Sequence, residues 1–317
     1  QYFYFVFHFI IFSLDEENLS CPLILMPPEI VVRFGDPVSV NCTTSETDAQ
    51  GMGWEAPSGG TGFEKGPTVT WMVESLENWY ILAKCYITRN NGDQCQVMPS
   101  ITLYKTPDLV SVTAPHDGPM VENTESKLIC KITNVAPVQN LTVKWYKGNE
   151  VVWTETFKNL SVTPVNVTST LKVTPTKEYD GARFKCDAEL HLGPNGPEQI
   201  PATSSEPHVA VVNYAPEFNE KNYSKEVTPG QNVTFTCKAE GNPVPRVSWN
   251  YTSAPNVIKA TGGSQESIVV TGATSTNAGV YICVATNKVG SVSRSFTLIM
   301  KGYYYWLSQK HFWTCIQ

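Results

Sequence analysis

Asn277-Ala278-Gly279-Val280-Tyr281-Ile282-Cys283 is the stretch on which the fold turns. Tyr281 stands two residues before Cys283, and the preceding cysteine, Cys237, is followed by Trp249. A Cys…Trp…Tyr-x-Cys series of this spacing serves a sandwich of two sheets. A disulfide joins the sheets, the indole packs on it, and the tyrosine hydroxyl bonds back to the backbone. The segments around the series are short, β-branched and alternating, as in Asn232 to Cys237 and Ser267 to Thr271, with Pro and Gly turns between them.

The same series recurs upstream. Cys130, Trp145 and Asp180-Gly181-Ala182-Arg183-Phe184-Lys185-Cys186 form a second unit, in which Phe184 keeps the packing but lacks the hydroxyl. Cys42 and Cys85 bound a third and most divergent unit, with Ala83 at the tyrosine position. No run of ten or more residues carries a helical period. The fold class is therefore all-β, with tandem immunoglobulin-like β-sandwiches forming an elongated rod. Prolines set the joints: Tyr104-Lys105-Thr106-Pro107 and Tyr214-Ala215-Pro216 are so short that one sandwich runs almost directly into the next. The expected divisions are 21–106, 107–214 and 215–301, preceded by a signal-peptide-like segment, 1–20, and followed by an irregular tail, 302–317. The stretch 193–205, rich in Pro, Gly and Ser, falls just after Cys186 and reads as a hairpin of the second unit, not a linker.

Composition agrees with a folded extracellular chain of 317 residues. Hydrophobic residues make up 41% and charged residues 16%, which excludes wholesale disorder. The net charge of −6 offers no general surface for nucleic acid. Nine cysteines with no C-x-x-C pair favour disulfides made in an oxidising compartment. Tyr2 to Leu14 has the length of a signal-peptide core, but the chain lacks an initiating Met and a basic flank, so it is expected to start inside a signal. The aromatic tail is too short to span a bilayer. It reads as a truncated or misread end, against a juxtamembrane segment that precedes an anchor. Membrane attachment is expected of the full-length protein, on the extracellular side of the plasma membrane; a complete chain would be secreted. N-x-S/T occurs at Asn18, Asn41, Asn140, Asn159, Asn166, Asn222, Asn232 and Asn250. Such accumulation suits a secreted glycoprotein, although Asn18 falls in the signal-like segment and Asn41 adjoins a cysteine.

Two further cysteines belong to the first unit. Cys21 starts its first strand and Cys95 follows the turn Asn90-Asn91-Gly92-Asp93, so both fall at the same end of a sandwich of this kind. A Cys21–Cys95 bridge would tie the N-terminus to that turn and contribute about 3–4 kcal/mol by loop closure. The alternative is two free surface thiols. Cys315 is left as the odd one, in the doubtful tail.

Catalytic motifs are absent: no G-x-S-x-G, no H-E-x-x-H and no phosphate-binding loop, and His8, His116, His191, His208 and His311 are dispersed. The glycines of Gly51-Met52-Gly53 and Gly59-Gly60-Thr61-Gly62 read as turn glycines. No enzyme, cofactor or metal of the chain's own is expected.

Certain residues carry a resemblance. Gly51-Met52-Gly53-Trp54-Glu55-Ala56-Pro57, Asn134-Val135-Ala136-Pro137-Val138-Gln139-Asn140-Leu141-Thr142-Val143 and Ala188-Glu189-Leu190-His191-Leu192-Gly193-Pro194 resemble the first two domains of the intercellular adhesion molecules, relatives of vascular cell adhesion molecule, from Cys21 to Tyr214. The third unit resembles only the broad I-type sandwich.

The resemblance implies a cell-surface glycoprotein that binds a leukocyte integrin. In that family a glutamate near the end of the third strand of domain one meets a divalent cation held by the integrin, and Glu55 matches it. Met52, Trp54 and Tyr86 are then candidates for surrounding apolar contacts. On its residues alone Glu55 reads as a solvated acid on a sheet face. Asp93 is a rival acid whose plain reading is a Gly-Asp turn.

Two departures stand out. The family's second disulfide would join the positions of Glu46 and Arg89, which are expected to form an exposed ion pair instead, and the stretch 57–66 is unlike the family. The competing function is a soluble or surface receptor or decoy with a non-integrin or homophilic ligand.

Overall fold

The structure is a computed structural model that describes residues 21–114, 118–262 and 265–302. The signal-like segment, Asn18, His8, His116, His311, Cys315 and the tail lie outside the described residues. Three hydrophobic cores follow one another along the chain, each between two β-sheets. Helix is confined, among the described residues, to three single 3₁₀ turns at Val138–Asn140, Lys177–Tyr179 and Ser275–Asn277.

In the first sandwich, Leu23–Met26, Val38–Thr44 and Thr68–Val73 form one sheet, and Gly51–Glu55, Lys84–Thr88 and Gln94–Val97 face it. Alternation does the placing: in Val38–Thr44, Val38, Val40 and Cys42 turn inward while Ser39 and Asn41 turn out. In the second, Leu109–Thr113, Ser126–Val135 and Val165–Val173 face a larger sheet that runs in the order Glu150–Thr156, Leu141–Lys147, Arg183–Leu190, Ala202–Ser204. In the third, Tyr223–Val227, Ser291–Met300, Gly279–Thr286 and Arg246–Asn250 face Val233–Lys238, Gln265–Val270 and Val257–Gly262.

Four disulfides join Cys21 to Cys95, Cys42 to Cys85, Cys130 to Cys186 and Cys237 to Cys283, with Cα separations of 5.7, 6.4, 6.3 and 6.4 Å. Each core bridge has a tryptophan on the strand paired with its second cysteine: Trp54 opposite Cys85, Trp145 opposite Cys186, Trp249 opposite Cys283. The three indoles find different partners. Trp54 Nε1 donates to the carbonyl of Val69 at 3.2 Å. Trp145 Nε1 donates to Ser169 Oγ at 2.9 Å, and Ser169 in turn donates to Glu155 at 2.5 Å. Trp249 Nε1 is buried without a partner among the described residues, a cost of about 1–3 kcal/mol that the other two sandwiches avoid.

Tyr281 donates its hydroxyl to the carbonyl of Asn277 at 2.9 Å, closing the corner in the third sandwich. Burial pushes its phenol pKa up. Phe184 fills the equivalent place in the second sandwich and stacks obliquely on Tyr179. Tyr281→Phe is expected to lower the stability of the third sandwich by about 1 kcal/mol, the worth of one buried neutral hydrogen bond whose partner carbonyl stays buried. Denaturant unfolding of the isolated third sandwich, compared with wild type, measures it; an unchanged midpoint would show that the hydroxyl contributes nothing.

The joints are made by continuous backbone. Lys105 and Ala136 exchange both backbone hydrogen bonds, at 2.8 and 3.1 Å, Tyr104 is buried in the core of the second sandwich, and Asn195 Nδ2 donates to Glu29 at 2.8 Å. Burial raises the Tyr104 pKa. At the second joint the strand Val212–Glu217 pairs in parallel with Met120–Val121 and then antiparallel with Glu240–Asn242, so one strand serves both sandwiches. Asn242 Nδ2 donates to the Val212 carbonyl at 2.8 Å, Asn287 Nδ2 donates to the carbonyls of Tyr214 and Pro243 at 2.8 and 2.9 Å, and Lys177 pairs with Glu217.

Candidate functional site: the outer face of the first sandwich

The strand Gly51–Glu55 is buried along its length except at its last residue, Glu55. Met52 and Trp54 point into the core, each 1% exposed, because Trp54 must pack on the Cys42–Cys85 bridge and a period of two carries Met52 to the same side. Glu55, one residue further, is turned outward and exposed, opposite Lys84 on the neighbouring strand. Its carboxylate has no hydrogen bond or ion pair among the described residues. Met52 and Trp54 therefore do not supply contacts around Glu55; they hold the strand that carries it.

Gly51 and Gly53 are strand residues, not turn residues as the sequence suggests. A Cβ on Gly51 would sit 2.6 Å from the Phe63 ring, and one on Gly53 would sit 2.7 Å from the Gly62 carbonyl and 2.8 Å from the Tyr86 hydroxyl. The stretch unlike the family explains this. Residues 61–64 fold back along the free edge of the strand, with Met52 and Glu64 exchanging backbone hydrogen bonds at 2.9 Å and Trp54 N donating to Thr61 Oγ1 at 2.9 Å. Trp71, buried in the core, donates its indole N–H to the carbonyl of Ser58 at 2.8 Å and fixes the start of that return. The glycines thus let a loop and the Tyr86 ring lie flat against the sheet. The clue in the sequence was the alternation Gly-Met-Gly-Trp at period two, which marks a strand with one crowded face.

Tyr86 is half-buried on this outer face, opposite Gly53. Asp93 is elsewhere. It lies beyond Thr88 at the far end of the strand from Lys84, roughly 13 Å along the sheet at 3.3 Å per residue. It is held in its turn: Asn91 Nδ2 donates to Asp93 Oδ2 at 2.7 Å and Asn91 Oδ1 accepts from Asp93 N at 3.0 Å. The structure does not bring the two acids together, and Glu55 is the one whose oxygens are unengaged.

At the tip, Arg89 Nε donates to Glu46 at 3.0 Å, with side chains 14% and 29% exposed, so the pair is more sheltered than the exposed one expected. It adjoins a concavity of about 750 Å³ lined by Gln50, Phe63, Lys65 and Asn90. Glu46→Gln is expected to lower stability by no more than about 1 kcal/mol, because the gain of a partly exposed pair is offset by desolvation and side-chain ordering. A double-mutant cycle with Arg89→Gln in chemical denaturation reads the coupling; a value well above that would mean the pair replaces a bridge in earnest.

The asparagines of the glycan acceptors show a common geometry. Asn41, Asn159, Asn166, Asn222 and Asn232 are exposed, and each is engaged through its Oδ1, by Thr70, Ser161, Asn134, Ser295 and Gly272 respectively. The nitrogen that takes the sugar is left clear. Asn250 is exposed, and Asn140 is half-buried with Nδ2 donating to the His191 carbonyl at 2.8 Å.

Comparison with known proteins reaches most of the chain. The immunoglobulin I-set domain family matches residues 216–300, and the CD80-like C2-set immunoglobulin domain family matches residues 111–194. Vascular cell adhesion protein 1 of Canis lupus familiaris is 25% identical over 285 residues, covering 86% of this chain and 38% of that protein. Intercellular adhesion molecule 1 of Pan troglodytes is 30% identical over 184 residues, covering 57% of this chain and 33% of that protein. Among solved structures, the ICAM-5 D1–D4 ectodomain fragment superposes with a TM-score of 0.55 at 20% identity, over 88% of this chain and 76% of that one. The titin I67–I69 fragment gives 0.54 at 18%, over 89% and 99%. At such identity these two speak to the fold alone.

The chain belongs to the immunoglobulin superfamily. Its relatives there include adhesion molecules of the vascular and intercellular kind, a family of non-enzymes. The chain spans 38% of the length of the vascular adhesion proteins it matches. Among the described residues no helix is long and apolar enough to cross a membrane.

Proposed function

We propose that this chain belongs to the ectodomain of a glycosylated cell-surface adhesion molecule, and that Glu55 docks its carboxylate on a divalent cation held by a leukocyte integrin. The observation that carries the reading is Glu55 itself, an exposed and unengaged acid on a strand pinned from within by Met52 and Trp54. A cation with an open oxygen site accepts such a carboxylate with little ordering cost, because the strand is already rigid. Tyr86 supplies the neighbouring aromatic surface and Lys84 the flanking charge. The cation belongs to the partner; among the described residues no cluster of His, Cys, Asp or Glu is built to hold one. The likeness to vascular and intercellular adhesion proteins supports the reading, as do the clear amide nitrogens of the glycan acceptors.

Chelation separates this from the alternative of a receptor or decoy with a non-integrin ligand. Binding of leukocytes to the immobilised chain is expected to disappear in EDTA and return with magnesium. Binding indifferent to EDTA would favour the alternative and leave Glu55 an ordinary surface acid.

A further inference from the structure

The sheet of the first sandwich that faces away from Glu55, made of Leu23–Met26, Val38–Thr44 and Thr68–Val73, turns a face without a single charge to solvent. Ile24, Met26 and Met72 stand on it, 62, 63 and 61% exposed; its other outward positions are serine or threonine, except for Asn41 at the centre. Exposed apolar clusters of this kind promote association unless something covers them. Register gathers the cluster around Asn41. Met26 lies directly opposite it on one neighbouring strand and Thr70 on the other, while Ile24 faces Thr43 and Met72 faces Ser39, which makes both of them its diagonal neighbours. Directly opposed residues of an antiparallel pair stand about 5 Å apart and diagonal ones about 7–8 Å, so a group carried by Asn41 reaches all three apolar side chains.

We propose that Asn41 carries an N-linked glycan whose first sugars lie on Ile24, Met26 and Met72 and cover this face. The acceptor is Asn41-Cys42-Thr43. Transfer joins Nδ2 to the anomeric carbon of the first N-acetylglucosamine and breaks that carbon's bond to a lipid diphosphate donor, releasing the lipid diphosphate and one amide proton. Cys42 is no obstacle. It is fully buried on the other face of the strand, and its partner Cys85 follows by 43 residues, so the growing chain presents the acceptor before the bridge can close. The folded sheet has room for the product: Thr70 Oγ1 donates to Asn41 Oδ1 at 2.8 Å, which turns Nδ2 away from Thr70, and Nδ2 has no partner among the described residues. A sugar ring presents C–H groups on its faces and hydroxyls around its rim, so it matches thioether and aliphatic surface fringed by serine and threonine. Attachment makes the contact intramolecular, and the sugar needs no affinity of its own. Glu55 and Tyr86 belong to the opposite sheet and stay open.

The inference rests on the glycosylated part of the functional reading and not on Glu55, and its test does not read adhesion. In the chain made by glycosylating cells, enzymatic deglycosylation in heavy-oxygen water followed by peptide mass mapping is expected to find Asn41 occupied. Dilute peroxide, which converts accessible methionines to sulfoxides, is expected to oxidise Met26 and Met72 several-fold more slowly in this glycoprotein than in Thr43→Val, which keeps Asn41 but destroys the acceptor. Asn41→Gln, which keeps Thr43, is expected to show the same faster oxidation. Met98 is exposed and follows the last strand of the opposite sheet, so it should oxidise at one rate in all three proteins. An unmodified Asn41 overturns the proposal, as does equal oxidation of Met26 and Met72 with and without the acceptor. A glycoprotein that dimerises in sedimentation equilibrium and is returned to monomer by Met72→Lys would put a second copy on the face instead, and overturns it too.

Discussion

Leukocytes in magnesium are expected to lose adhesion to the immobilised first two sandwiches when Glu55 is replaced by Gln. The amide keeps the shape of the side chain and one acceptor oxygen, but removes the charge that pairs with a partly desolvated cation. Truncating one side of such a contact costs about 2–5 kcal/mol, or roughly 30- to 5,000-fold in affinity. Two comparisons give the result its meaning. Glu46→Gln alters an acid at the tip that is already paired with Arg89 and should leave adhesion intact. Asp93→Asn alters an acid held by Asn91 at the other end of the sheet. A loss confined to Asp93→Asn would move the contact to that turn, and full adhesion in Glu55→Gln would remove Glu55 from the site.

The second large effect is on folding. Trp54→Ala is expected to destabilise the first sandwich by about 3–5 kcal/mol, the cost of emptying a large aromatic site in a packed core. A small domain has only about 5–15 kcal/mol in total. The indole touches Trp71, with ring centroids 5.9 Å apart, and donates to Val69, so its removal also loosens the anchor of the loop at Ser58. Calorimetry of the whole chain should show one transition displaced or lost and the others unchanged. Trp54→Phe keeps most of the volume, and should keep adhesion at temperatures where the sandwich is folded. If Trp54→Phe instead abolished adhesion with the melting unchanged, Trp54 would be a contact residue after all, against its burial.

The second and third sandwiches were legible in the sequence because their marks are local and repeat: a cysteine, a tryptophan after it, then a tyrosine or phenylalanine two places before the second cysteine; the first, with Ala83 at that place, was read from its cysteine spacing. Met52 and Trp54 were misplaced for an instructive reason. Proximity to Glu55 along the chain suggested proximity in the site, yet a strand sends neighbours to opposite faces, and the pairing of Trp54 with Cys85 decides which face is which. The same parity, applied from Trp54, puts Met52 inside and Glu55 outside. The return of residues 61–64 was beyond reach, since it depends on contacts with Trp71 and Tyr86 that leave no periodic mark in the sequence. So was the chain from Trp145 through Ser169 to Glu155, which crosses between sheets and leaves no periodic trace.

The strand shared at the second joint has a mechanical meaning. A pull on the two ends of an adhesion molecule must pass through every joint. Here Val212–Glu217 enters from one sandwich and leaves through the next without an intervening slack segment. Separating the two bodies would shear its pairing with Met120–Val121, the Asn242 and Asn287 clamps, and the Lys177–Glu217 contact together, so the load falls on many bonds at once. The second and third sandwiches should therefore move as one stiff lever under tension and transmit force to the first with little give.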